Sequence, residues 1–91
     1  MAKLITPTGV TEVKPENGKD FKLDQLYRLL NCEMIQVVNL GHGNIMILDE
    51  EGKCKDVQVY NLIATMKTRG ILADDDVIIG NALICKSSEL K

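Results

Sequence analysis

Two uninterrupted apolar runs, Ile45-Met46-Ile47-Leu48 and Val77-Ile78-Ile79, constrain this chain more than anything else in it. Successive side chains of a strand point to opposite faces, so a strand with one wet face alternates apolar and polar residues. These runs do not alternate. Each predicts a strand with both faces withdrawn from water, and the sheet that holds them needs cover on both sides.

The cover must come from a short chain. Ninety-one residues are enough for one domain, and a chain of that size buries only about 60–65 % of the surface its unfolded form exposes. The spacing predicts a first helix in which Leu23, Leu26, Tyr27 and Leu30 recur at i, i+3, i+4 and i+7 on one face. Asp20 or Asp24 is expected to cap its start, and Asn31 suits the left-handed position that ends it. A second helix is expected over 57–69, with Val59, Leu62, Ile63 and Met66 on one face and Gly70 closing it.

The remaining segments read as strands. Lys3 to Thr6 and Val10 to Lys14 flank the turn Pro7-Thr8-Gly9. Met34 to Leu40 turns at Gly41-His42-Gly43-Asn44 into Ile45 to Leu48, a hairpin. Asp49 to Lys53, with Gly52, is a second tight turn returning the chain to a brief strand around Cys54. Val77 to Cys85 is a last strand, interrupted by Gly80-Asn81. The tail from Lys86 is polar and expected to fray. The fold class is therefore α+β: a small, mostly antiparallel sheet of five to six strands with two helices, as a single domain.

Two short helices hardly cover both faces of such a sheet in full. A homo-oligomer is expected, with another copy of the chain closing what the helices leave open. The competing arrangement places the helices on opposite faces.

Composition narrows the function. The chain is 45 % hydrophobic and 26 % charged, which is globular. Its aromatics are Phe21, Tyr27 and Tyr60, too few for a stacking platform for single-stranded nucleic acid. A net charge of −2 argues against a duplex nucleic-acid binder, which carries a basic face. A pocket for one small phosphorylated ligand needs only one or two cations and a few backbone N–H groups, and is compatible with this charge. Cys32, Cys54 and Cys85 are odd in number, far apart and without a C-x-x-C pair. They read as reduced thiols packed as small hydrophobes, not as a disulfide framework or a zinc site. The N-terminus shows no signal-peptide pattern, and the apolar runs are far shorter than a membrane span. A cytosolic protein is the expectation.

Candidate sites follow from residue chemistry. In Gly41-His42-Gly43-Asn44, glycines free the backbone to aim N–H groups at an anion, and His42, the single histidine, exchanges protons near neutral pH. The same residues are what a plain tight hairpin requires. Asn61 and Thr65 stand at i and i+4, near Arg69, a set suited to gripping a nucleobase, ribose or phosphate; an ordinary exposed helix face is the alternative. Asn81 sits where a bulge re-aims backbone. Asp74-Asp75-Asp76 lacks the glycine and distal glutamate of a calcium loop and reads as a solvated acidic turn. No nucleophile motif, metal cluster or cofactor loop is present, so catalysis is not expected.

The ordered set of that first helix, Ile35-Gln36-Val37-Val38, the turn Gly41 to Asn44, the run Ile47 to Lys53, Asn61-Leu62-Ile63-Ala64-Thr65 and the closing Asp76 to Cys85 resembles a family of short phage and bacterial proteins. The family is domain of unknown function 3846, and the likeness covers most of the chain from about Asp20 onward. The family carries no catalytic assignment to transfer. The resemblance implies a setting in which small phage proteins inhibit host systems, by occluding a host protein or by sequestering a nucleotide signal as an oligomeric sponge. Two classes of function follow as expectations: a non-catalytic binder of a small nucleotide or cyclic-nucleotide ligand, or a protein–protein module acting on a host protein.

Overall fold

The computed structural model describes residues 2–51, 59–68, 71 and 77–90. Along the chain come β1 (Ala2–Thr6), β2 (Gly9–Val13), α1 (Leu23–Leu30), β3 (Ile35–Gly41), β4 (Asn44–Asp49), α2 (Leu62–Lys67) and β5 (Ala82–Lys86), then a 3-10 turn over Ser87–Glu89. The strands make one antiparallel sheet in the order β2-β1-β5-β4-β3. Two local hairpins, β1–β2 and β3–β4, are joined by β5, which slots between them. The α+β expectation holds.

The pleat divides the apolar residues into two cores. Ala2, Ile45, Ile47, Leu83 and Cys85 pack with Phe21, Leu26 and Leu30 on the α1 side. Ile5, Val38, Met46, Leu48 and Ala82 pack with Ala64 and Ile78 on the α2 side. Along β4 every residue from Ile45 to Asp49 is buried. The doubly apolar run thus has cover on both faces from helices of its own chain. That overturns the premise drawn above: non-alternating strands here do not require a second subunit to roof the sheet, because the helices lie on opposite faces.

α1 matches its pattern in the middle and departs at the edges. Leu26 and Leu30 are buried, Tyr27 is half-buried, and Leu23 is 51 % exposed. Asn31 takes the left-handed conformation with φ 51° and closes the helix. Neither Asp20 nor Asp24 caps the start; the N-cap is Lys22, with no side-chain cap bond. Asp20 instead accepts from the Asn17 amide at 2.9 Å, within the turn that precedes the helix.

α2 corrects its expectation more sharply. It runs over Leu62–Lys67, not 57–69. Of the face predicted to be buried, Val59, Leu62 and Met66 are 51 %, 68 % and 68 % exposed. The reason lies upstream. Residues 59–61 are held extended by an antiparallel bridge of Tyr60 with Ile79, in which Gly80 N–H donates to Val59 O and Asn61 N–H to Ile78 O, each at 2.8 Å. The helix can begin only after Asn61, and its contact with the sheet is made through the small Ala64 and through Ile63, the one member of the expected face that is half-buried and packed on the core.

The last strand is shorter than expected. Gly80 takes φ +79°, breaking the strand geometry, so β5 starts at Ala82 while Ile78 and Ile79 are buried ahead of it. Residues 87–90 are held and do not fray: Phe21 N–H donates to Glu89 O, Phe21 bridges Leu90, and Leu90 packs against the α1-side core. The strand around Cys54, the turn residues Gly52 and Lys53, the helix end at Gly70, Arg69 and Asp74-Asp75-Asp76 lie outside the described residues. Among the described residues no helix is long and apolar enough to cross a membrane.

Candidate anion-binding groove

The β3–β4 hairpin turns on two residues, His42 with φ 54° and Gly43 with φ 78°, between the paired Gly41 and Asn44. Positive φ at both central positions is the geometry whose twist matches that of the flanking strands. Gly43 suits it without strain, and His42 tolerates it. The loop is thus the tight turn, with its backbone spent locally: Gly41 N–H donates to Asn39 Oδ1 at 2.8 Å, and Gly43 O accepts from Ser87 N–H at 2.8 Å. His42 is exposed at the tip and has no hydrogen-bond partner among the described residues.

What the turn does is deliver Asn44 to the edge of a cavity. Pairing sets Lys3 opposite Ile84 and Asn44 opposite Lys86. Ile84 and Lys86 are two apart on β5, so all four side chains stand on one face of the sheet, the α2 face. Leu40 of β3, Lys67 in the last turn of α2 and Cys85, between Ile84 and Lys86, complete the lining of a groove of about 410 Å³. The floor is apolar, with Leu40 and Ile84 both packed against the α2-side core. The rim is cationic: Lys3, Lys67 and Lys86 are exposed ammonium groups, and among the described residues no carboxylate lines the groove.

Among the described residues those lysines have no ion-pair partner. Among the described residues the ion pairs are those of Arg28 with Glu16 and Asp24, on the opposite side of the sheet. In a chain of net charge −2, three cations around one apolar floor are a local inversion of sign. Such a rim focuses the field on an entering anion, and each lysine is a mobile point charge that suits phosphate oxygens.

Two other cavities among the described residues have the reverse character. One of about 480 Å³ at the end of α1 is lined by Glu33, Asp49 and Glu51 with Tyr27, Arg28, Asn31 and Cys32. Its cation is already engaged: Arg28 clasps Glu16 through both guanidinium NH2 groups, a contact that raises its pKa further. A smaller one of about 80 Å³ is rimmed by Glu16, Asp20 and Asp24, with Lys22 as its one cation. Among the described residues no group of His, Cys, Asp and Glu is arranged to hold a metal ion.

The predicted helix face does not join the groove. Asn61 is fully buried, and its side chain is consumed by the fold. The amide donates to Ile5 O at 2.9 Å and Gly80 O at 2.8 Å, and its oxygen accepts from Ala64 N–H at 3.1 Å. Thr65 Oγ1 donates to Asn61 O and accepts from Ile78 N–H. Neither side chain is free for a ligand, because each satisfies backbone groups that would otherwise be buried unpaired. Asn81 donates to Leu29 O at 3.1 Å, tying the start of β5 to α1. Of the expected residues, Asn44 alone lines the groove, with His42 and the two glycines in the turn beside it and Arg69 outside the described residues.

Sequence reasoning missed Lys3, Lys67, Lys86, Leu40 and Ile84. Lysines scattered along a chain carry no local signal; only strand pairing reveals their convergence. The thiols fit their reading in part: Cys85 is buried, Cys32 half-buried, and Cys54 outside the described residues.

A family model described as domain of unknown function (DUF3846) matches residues 3–90. The match thus takes in the β1–β2 hairpin that the resemblance from Asp20 onward had left aside. No curated protein and no solved structure matches the chain.

Proposed function

The chain belongs to the DUF3846 family, whose function is unknown, and we propose from its own geometry that it is a non-catalytic binding protein that captures a small phosphorylated ligand of the nucleotide class. The observation that carries this reading is the groove of about 410 Å³ with an apolar floor and three lysines that have no ion-pair partner among the described residues. A flat, weakly polar ring suits Leu40 and Ile84, phosphates suit the ammonium rim, and the Asn44 amide both donates and accepts toward a base or ribose edge. Holding such a ligand unaltered, the protein would act as a sponge for a nucleotide or cyclic-nucleotide signal. Catalysis has no support in the site: the single histidine stands exposed at the hairpin tip without a carboxylate or thiol partner among the described residues.

Calorimetric titration with ADP-ribose, nucleoside triphosphates, cyclic mono- and dinucleotides and inorganic phosphate tests it. The expected result is saturable binding of at least one nucleotide, weakened by salt and by about tenfold in each of Lys3→Gln, Lys67→Gln and Lys86→Gln, with intact ligand recovered on denaturation. Absence of binding to every anion overturns the reading, and recovery of an altered ligand makes the protein an enzyme.

One observation favours a second reading, a protein–protein module directed at a host protein. Leu62 and Met66, at i and i+4, share the outward face of α2, and Val59 and Tyr60 beside them are also exposed. A co-purifying protein lost on Leu62→Gln and Met66→Gln, with nucleotide titrations flat, would favour it.

A further inference from the structure

The sheet has two open edges among the described residues, β2 and β3, and they are defended very differently. A free edge presents unpaired N–H and C=O groups, and proteins normally blunt it with charge or proline. β2 carries Glu12 within the strand and is followed at once by Lys14 and Pro15. From Met34 to Asn44, by contrast, there is no Asp, Glu, Lys, Arg or Pro, and the irregularity that β3 does carry, a register shift between Asn39 and Gly41, falls at its hairpin end. β3 is also the longest strand, seven residues against five or six elsewhere.

We propose that β3 pairs antiparallel with β3 of a second copy of this chain, about a two-fold axis at Val37. Two side chains along this edge are large, apolar and half-exposed: Val37 at 45 % and Met34 at 49 %. Centring the pairing on Val37 sets Val37 against its own copy, Ile35 against Asn39 and Met34 against Leu40. Both exposed side chains are then covered at once, by apolar partners, with no charge brought near another. Valine against valine is a favourable cross-strand pair, and the contact is isologous, so it closes at two copies. A foreign strand would have to match this pattern by accident; a second copy matches it by symmetry.

The pairing also bears on the groove. Leu40 lies on β3 and lines it, so Met34 of the second copy would extend its apolar floor. A two-fold axis normal to the sheet leaves both grooves on the same face of a ten-stranded sheet. The pairing does not depend on a ligand, and the two readings fail separately. One strand pair falls at the small end of interfaces, below the ~1,200 Å² of stable complexes, so the dimer should be half-formed only at concentrations on the order of 100 µM.

Sedimentation velocity from 5 to 500 µM tests this, with Val37→Lys and Gln36→Lys as variants. Both positions are exposed, so circular dichroism should be unchanged. The expected result is a wild-type mass rising from one chain toward two, with association weakened at least about tenfold by each lysine, most by Val37→Lys, whose charges face each other across the axis. A wild-type chain that stays single throughout overturns the proposal. So does a dimer that neither lysine weakens, and so does one that forms only with an extended segment of another protein.

Discussion

The two helices roof opposite faces of one sheet by different physics. α1 is bound through apolar side chains: Leu26 and Leu30 enter a core with Phe21, Ile45, Ile47 and Leu83, and no side chain caps its first turn. α2 is two residues shorter, turns Leu62 and Met66 to solvent, and meets the sheet through Ala64, with the half-buried Ile63 beside it. What holds it is Asn61, buried at its N-cap, whose amide ties Ile5 of β1 to Gly80 ahead of β5. A six-residue helix has no stability of its own. Here a polar hub substitutes for a hydrophobic stripe, and a helix so held can leave its outer face free for other use.

The sharpest way to break the comparison is Asn61→Asp. A carboxylate there keeps the cap acceptor but points a buried charge at two carbonyl oxygens, and should cost about 4 kcal/mol at pH 7 by urea unfolding. Burial raises the pKa of such a carboxyl in the folded state, so the lost stability should return as pH falls toward the unfolded value. A loss below about 1 kcal/mol would mean the hub does not hold α2. Leu26→Ala tests the other face. It should cost about 3 kcal/mol through lost burial and a cavity, with no recovery in acid.

Cys85 adds a smaller effect on the α1 side. Burial, then the Glu89 carboxylate, pushes its thiol up to about 11. With the folded value raised above the unfolded one, the neutral thiol's contribution is complete below pH 9 and is lost as pH rises through about 11. Cys85→Val should flatten that alkaline decline in thermal melts, and thiol-specific labelling of native wild type at pH 8 should leave Cys85 unmodified. Least of all, Leu62→Gln and Met66→Gln should each change stability by less than about 0.5 kcal/mol, because both side chains are already in water. A larger loss would show that α2 does lean on them.

The α1 half was readable along the chain because its cause is periodic. Leu23, Leu26, Tyr27 and Leu30 mark a stripe, Asn31 marks its end, and β4 declares itself by unbroken burial-seeking residues. The α2 half misled for the same reason. Val59, Leu62, Ile63 and Met66 form an equally good stripe, yet Asn61 overrides it, since an unpaired buried amide or carbonyl costs as much as one of those side chains would gain. Asn61 and Thr65 were picked out by their chemistry, and that chemistry serves backbone groups of β1 and of the segment before β5. The loop Gly41 to Asn44 was readable as a hairpin turn, and Asn44 as part of a site, while the lysines around it were not.

Local order was legible from the amino acids alone: the five strands, the two helices, the tight turn at His42-Gly43 and the likeness to one family. Such features depend on neighbours a few residues apart, where spacing in the chain is spacing in space. The tertiary structure decided which face of α2 is buried, whether one chain can cover both sides of its sheet, and that Lys3, Lys67 and Lys86 share a rim. Those outcomes turn on pairing between residues as distant in the chain as Lys3 and Ile84, and β5 slotting between two hairpins is what brings them together.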